Sequence, residues 1–185
     1  MTTPQEIAGD VLHFWLEELD PKQHFTQDDA LDEMIRTRFG DLHTELAKGV
    51  PDLWLETPQT AVAAVIVLDQ FSRNMFRGEG RAFATDAEAL RVARIAVERG
   101  DLDRMSDREA YYLIMPYMHA EDVATIDECE TLFEKQLPDG QGAHYARLHR
   151  ASVARFGRYP ARNKALGRES TSEELAFLEE NPAGF

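Results

Sequence analysis

A single cysteine, Cys129, stands in a chain of 185 residues, which excludes an internal disulfide and any Cys-x-x-Cys metal or redox pair. That scarcity fits a reducing compartment, and the apolar helical pattern around Cys129 predicts a buried structural thiol rather than a nucleophile. Long apolar runs are equally scarce. The longest, Ala61 to Leu68, has eight residues where a bilayer-spanning helix needs about 20, so no membrane partner is expected. The first basic residue is Lys22, too late for the charged leader of a secretory signal, and a cytoplasmic location is the expectation. Basic residues are the minority, 20 against 34 acidic, with a net charge of -14 and a sequence pI near 4.8. Duplex affinity rests on neutralising phosphates, so nucleic-acid binding is not expected either. Gly-x-x-x-x-Gly-Lys-Ser/Thr, Gly-x-Gly-x-x-Gly and Gly-x-Ser-x-Gly are all missing, which removes the commonest nucleotide-binding and serine-hydrolase signatures.

What is present reads as one helical domain, residues 1–185. A hydrophobic content of 43% and a charged content of 29% suit a globular chain with a core large enough to need no disulfide or metal. Thr3-Pro4-Gln5-Glu6 forms a capping box with Pro at the first helical position, and Thr85/Glu88, Ser106/Glu109 and Ser170/Glu173 repeat the spacing. With no Asn-Gly hairpin and no strand alternation, the pattern is all-α. It predicts about eight helices, near residues 4–19, 27–48, 58–71, 86–99, 107–119, 122–136, 143–156 and 171–180. Short connections favour antiparallel pairs. Gly49, Gly100 and Gly157 fall where helix ends want a left-handed residue, and Thr57-Pro58 opens the third helix. Because Ala61 to Leu68 is apolar on every face, that helix should be central.

One segment inverts the charge balance. Between Gly140 and Arg168 stand Arg147, Arg150, Arg155, Arg158, Arg162, Lys164 and Arg168 with no Asp or Glu. Such an island is either an anion site or an internal partner for the protein's own carboxylates. Two loops echo each other, Asp69 to Gly78 and Arg155 to Asn163, each with an Arg two residues after a Phe and an Arg-Asn pair. A continuous helix would stack Arg73, Arg77 and Arg81; Gly78 and Gly80 predict a break instead. Guanidinium forks bind carboxylate or phosphate bidentately and Asn amides orient them. The ligand-binding candidates are therefore Arg73, Asn74, Arg77, Arg158, Tyr159, Arg162 and Asn163, with Tyr159 as a wall. The opposing reading is internal pinning: Asp69 lies four residues before Arg73, and Glu121 and Asp122 follow His119.

His119, Glu121 and His149 are the acid-base candidates, since imidazole and carboxylate are the usual proton carriers. His149 shares a helix face with Tyr145, Leu148, Ser152 and Phe156, facing the core or a groove. The spacing His144 to His149 is one too long for a His-Glu-x-x-His helix, and no metal or other cofactor is expected.

The runs LDQFSRNMFRG (Leu68 to Gly78), RAFATDAEAL (Arg81 to Leu90), PYMHAED (Pro116 to Asp122) and RFGRYPARNKALGREST (Arg155 to Thr171), in this order, resemble a bacterial family known as domain-of-unknown-function family 924. The resemblance spans nearly the whole chain. It implies an all-α fold similar to tetratricopeptide-repeat superhelices without their repeat consensus, and brings no catalytic residue or cofactor. Ser72 and Ala161 depart from the family pattern, which commonly has Pro and His there; the second change leaves that loop without an imidazole. The leading functional expectation is a protein binding a small anionic ligand or an acidic protein segment at the Arg-Asn loops. The alternatives are an enzyme acting on an anionic small molecule through His/Glu acid-base chemistry, and a structural or protein-interaction module.

Overall fold

The computed structural model describes residues 2–182 and 184, and among these no strand occurs. Helix α1 is Pro4–Leu12, continued by a π-helical turn, His13–Glu18. Helix α2 is Asp29–Leu46, and α3 starts as Pro58–Val65, widens into a π-helical turn at Ile66–Phe71 and closes with an α-turn at Ser72–Met75. Then follow α4 (Asp86–Glu98), α5 (Asp107–His119), α6 (Val123–Gln136), α7 (Gly142–Phe156) and α8 (Ser172–Glu180). These helices coincide with the eight segments expected from sequence, and no helix among the described residues is long and apolar enough to cross a membrane.

The caps explain most boundaries and correct two expectations. Thr3/Glu6 and Ser106/Glu109 close reciprocal capping boxes, as does Thr57 with Thr60. At α8 the box forms one residue later than read, between Thr171 and Glu174 rather than Ser170 and Glu173. Thr85 makes no box with Glu88. Packing of α4 against α3 buries its hydroxyl, which donates to the Leu68 carbonyl at 2.6 Å, while Glu88 accepts from the Val50 N–H and from Arg91. Gly100 and Gly157 turn left-handed, with φ of 77° and 68°, just past α4 and α7.

Helix α3 is the axis of the core. Ala61 to Leu68 are buried without exception, and α1, α4 and α5 pack on the first half while α2 packs on the last turn. Helix α6 covers α5, and α7 folds back on α6 through residues 137–141. Gly142 is the close approach: a Cβ there would lie 2.3 Å from the buried Phe133 ring. Cys129 is buried in α6, as its pattern predicted. After Met75 the chain leaves the helix and turns at Gly78, φ 81°. The Arg73, Arg77, Arg81 stack is thus avoided, and Arg81 lies over the Phe76 ring beside Glu79.

Candidate functional site

At the C-terminal end of α3, three helices turn side chains toward one another without a fourth to cover them. From α3 and the turn after it come Gln70, Arg73, Asn74 and Arg77; from α5 come Tyr111, Met115, Met118 and His119; from α7 come Tyr145 and His149. Spacings of three, four, seven and eight residues place each set on one helix face. With His24 and Thr26 from the segment between α1 and α2, they line a cleft of about 570 Å³, within the range that holds a small molecule. A second cleft of about 300 Å³ shares Arg73, His119 and His149 with it and adds Phe83, Tyr159, Ala161, Arg162 and Gly184.

Asp69, wholly buried in the π-helical turn, forms the floor. Its carboxylate accepts from His119 Nδ1–H at 2.6 Å and from Gln70 Nε2 at 2.6 Å, and lies 3.1 Å from Arg73 Nη1. Burial opposes its ionisation, but the Arg73 charge and the His119 and Gln70 hydrogen bonds outweigh it and hold the carboxyl well below the usual range. An ionised carboxylate only accepts, so His119 carries its proton on Nδ1. Its Nε2 has no hydrogen-bond partner among the described residues. Burial, and next Arg73, push the His119 imidazole below its ordinary value despite Asp69. His149 donates Nδ1–H to the Tyr145 carbonyl at 2.8 Å, and its ring centroid lies 6.3 Å from that of His119. Burial first, then His119, pushes His149 down to about 4. Both rings are thus neutral near pH 7, in the same tautomer.

The arginines are matched to carboxylates. Arg73 reaches Asp86 through Nη1 at 2.9 Å and Nη2 at 3.1 Å, and Arg162 reaches the same carboxylate at 3.2 Å while donating to the His119 carbonyl at 3.0 Å. The Arg162 guanidinium lies 4.6 Å from both the Phe83 and the Tyr159 ring centroids. Arg77 forks onto Asp32 at 2.7 and 2.8 Å, and Asn74 donates to the same carboxylate at 2.7 Å.

Of the residues expected from sequence, Arg73, Asn74, Arg77, His119 and His149 line the main cleft, and Tyr159 and Arg162 line the smaller one. Tyr159 is itself nearly buried, its O–H donating to the Met118 carbonyl at 2.5 Å. Arg158 and Asn163 line neither cleft: both bind Glu174, Arg158 at 2.7 and 2.9 Å and Asn163 at 3.3 Å. Glu121, the carboxylate among the acid-base candidates, is not the hydrogen-bond partner of His119. Its carboxylate is clamped by Arg168 at 2.7 and 2.8 Å and accepts from the Tyr159 N–H, and the partner of His119 is Asp69. Every arginine between Gly140 and Arg168 finds a carboxylate of the chain: α6 and α8 supply Asp127, Glu130, Glu134, Glu173 and Glu174 to Arg147, Arg150, Arg155 and Arg158, while Arg162 pairs with Asp86 and Arg168 with Glu121. The arginines of the island thus all have internal carboxylate partners. Sequence reasoning missed Gln70, the role of Asp69 toward His119, and Met115, Met118 and Tyr145 in the cleft wall. The available signal was an Asp-Gln pair directly after an all-apolar helix segment.

The chain matches, over residues 11–182, the model of a family described as bacterial protein of unknown function (DUF924). It is also similar to the solved structure of ATU0120, a protein of unknown function from Agrobacterium tumefaciens. The two share 37% identity with a TM-score of 0.89, over 96% of this chain and 99% of that one. No curated protein matches.

Proposed function

The chain belongs to the DUF924 family of bacterial proteins of unknown function, and we propose that it binds a small molecule between α3, α5 and α7 and uses His119 as a proton acceptor. One observation carries this reading: the buried Asp69 carboxylate takes the Nδ1 proton of His119 at 2.6 Å, leaving Nε2 as the basic atom of a ring that borders both clefts. A carboxylate behind an imidazole fixes the tautomer and stabilises the imidazolium formed when Nε2 takes a proton. The supported reaction class is proton abstraction from bound water or from an acidic group of the ligand. Arg73 and Arg77 would hold a polar or anionic head, Met115 and Met118 an apolar body, and Arg162 and Tyr159 the wall of the smaller cleft. This enzymatic reading is preferred to anion capture alone because the Asp69–His119 pair presents a fixed basic nitrogen at the cleft wall, which anion capture does not need.

The test is a fragment screen read by methyl NMR of Met115 and Met118, run on the wild type and on H119Q. Fragments that move both methyl signals, and whose effects change in H119Q, are expected. A library of several hundred fragments that leaves both signals in place would refute the cleft as a binding site. A wild-type His119 found in the Nε2–H tautomer by nitrogen shifts would refute its role as base.

A further inference from the structure

We infer that the main cleft takes an amphipathic carboxylic acid, its apolar body against Met115 and Met118 and its carboxylate against Arg73 and Arg77, and that one proton enters the site with it. This rests on the reading of the cleft as a small-molecule site and names the ligand class.

Shape and lining supply the first half. About 570 Å³ holds an organic acid with an aryl or medium-chain body, and thioethers form an adaptable apolar wall. Arg77 spends Nε and Nη2 on Asp32, so its Nη1 makes no hydrogen bond among the described residues. A carboxylate is the acceptor whose geometry suits a guanidinium edge.

Charge supplies the second half. Asp32, Asp69 and Asp86 match Arg77, Arg73 and Arg162 one for one. An added carboxylate therefore leaves one uncompensated negative charge beside the half-buried Arg73 and the buried His119, which costs free energy unless a nearby group protonates. Of the three imidazoles at the cleft, His24 is engaged through both ring nitrogens by the Trp15 carbonyl and the Tyr112 hydroxyl, so the groups placed to respond are His119 and His149. Around His119 stand Asp69 and Arg73 of α3, Asp86 at the start of α4, Arg162 from the loop after α7, and His149 on α7. Around His149 stand His119, Arg162, Arg73 and the Tyr159 ring. The guanidiniums in these sets help keep the rings neutral, and a carboxylate lying against Arg73 offsets that repulsion. Nε2 of His119 then takes a proton from solvent.

The experiment is calorimetric titration of the full chain with 3-phenylpropionate and, separately, with uncharged 3-phenylpropionamide, in two buffers of different ionisation enthalpy. For the acid, uptake of close to one proton is expected, with affinity falling by up to about tenfold per pH unit between pH 6 and 8. For the amide, no uptake is expected. R77Q should weaken the acid and spare the amide, and H119Q should remove the uptake. Should H119Q not fold, the two-buffer comparison on the wild type decides alone. Acid binding without proton uptake overturns the inference. Amide binding without acid binding also overturns it while leaving the cleft a small-molecule site, and binding of neither removes both readings for this ligand shape.

Discussion

Replacing Asp86 by Asn preserves shape and removes one charge where two guanidiniums meet. Arg73 contacts this carboxylate at 2.9 and 3.1 Å and Arg162 at 3.2 Å. Both arginine side chains are well shielded, at 22% and 13% exposure, so water cannot replace the lost partner at full strength. Removing one member of a buried ion pair costs about 3–5 kcal/mol. Arg73 keeps Asp69, and Arg162 keeps the His119 carbonyl and its two aromatic faces, which places D86N at the lower end, about 3 kcal/mol. For a chain of this length that lowers Tm by about 6–12 °C. The assay is calorimetric melting at low ionic strength, repeated with 0.2 M sodium acetate, which should recover part of the loss because a small carboxylate can stand in for the missing charge. R147A is the control. Its pair with Glu130 and Glu134 is solvated, and such pairs contribute little. A D86N melt within about 2 °C of wild type, against the size of shift expected for this chain length, would refute the claim that these arginines depend on Asp86.

Three further outcomes follow from particular contacts. G142A forces a methyl into the Phe133 ring, which is buried and cannot swing away; urea denaturation should show a loss of about 1–3 kcal/mol, and no loss would mean the α6–α7 contact is loose. Because His149 and His119 are held below their ordinary value in the fold, the unfolded chain binds more protons as pH falls below about 6.5, so stability should drop from there toward pH 4. Asp69, Asp32 and Glu174, held low in the fold, add further loss below the ordinary carboxylate range. Urea midpoints from pH 8 to 4.5 should therefore slope, and H149F should flatten the upper part; an unchanged slope would contradict the assignment. Burial pushes the Cys129 thiol well up, so Ellman's reagent should react only at the rate of unfolding, and prompt reaction of the native chain would refute its burial.

Helix number, order and the central place of α3 were legible because caps and apolar periodicity are local signals, carried by residues such as Thr3, Pro58 and Ala61 to Leu68. The cleft was only half legible. Arg73, Asn74 and Arg77 stood out by their type, but whether an arginine faces a ligand or a carboxylate depends on what a distant helix brings. Asp32 lies 45 residues from Arg77, and Asp86 lies 76 from Arg162. Arg158 shows the limit: its loop looked like that of Arg73, yet α8 folds Glu174 against it. His119 could be paired with Glu121 on paper because both are in one short segment. In the fold the residues after His119 turn away, and the chain supplies Asp69 from 50 residues upstream.

Asp69 is a wholly buried carboxylate directly after the most apolar stretch of the core. Eight apolar residues precede it in α3, and the cheapest continuation would be apolar too, since replacing a buried ion pair by well-packed apolar side chains is often neutral or stabilising. Instead the helix widens into a π-helical turn at Ile66–Phe71, an irregularity that occurs frequently at functional sites, and sets an ionised carboxylate against Arg73, Gln70 and His119. Pinning one loop would need only a surface pair such as Arg155 with Glu173. What the buried set accomplishes, and a surface pair cannot, is to hold an imidazole neutral, in one tautomer, with its basic nitrogen on the wall of a cleft. The proposed function rests on this combination, a buried carboxylate in a π-helical turn that also fixes the proton of a cleft-wall imidazole. D69N tests this directly. It is near-isosteric, removes the acceptor charge from behind His119, and should leave the Nδ1–H tautomer no longer dominant by nitrogen NMR. A D69N protein in which His119 keeps that tautomer would show that Asp69 serves Arg73 alone.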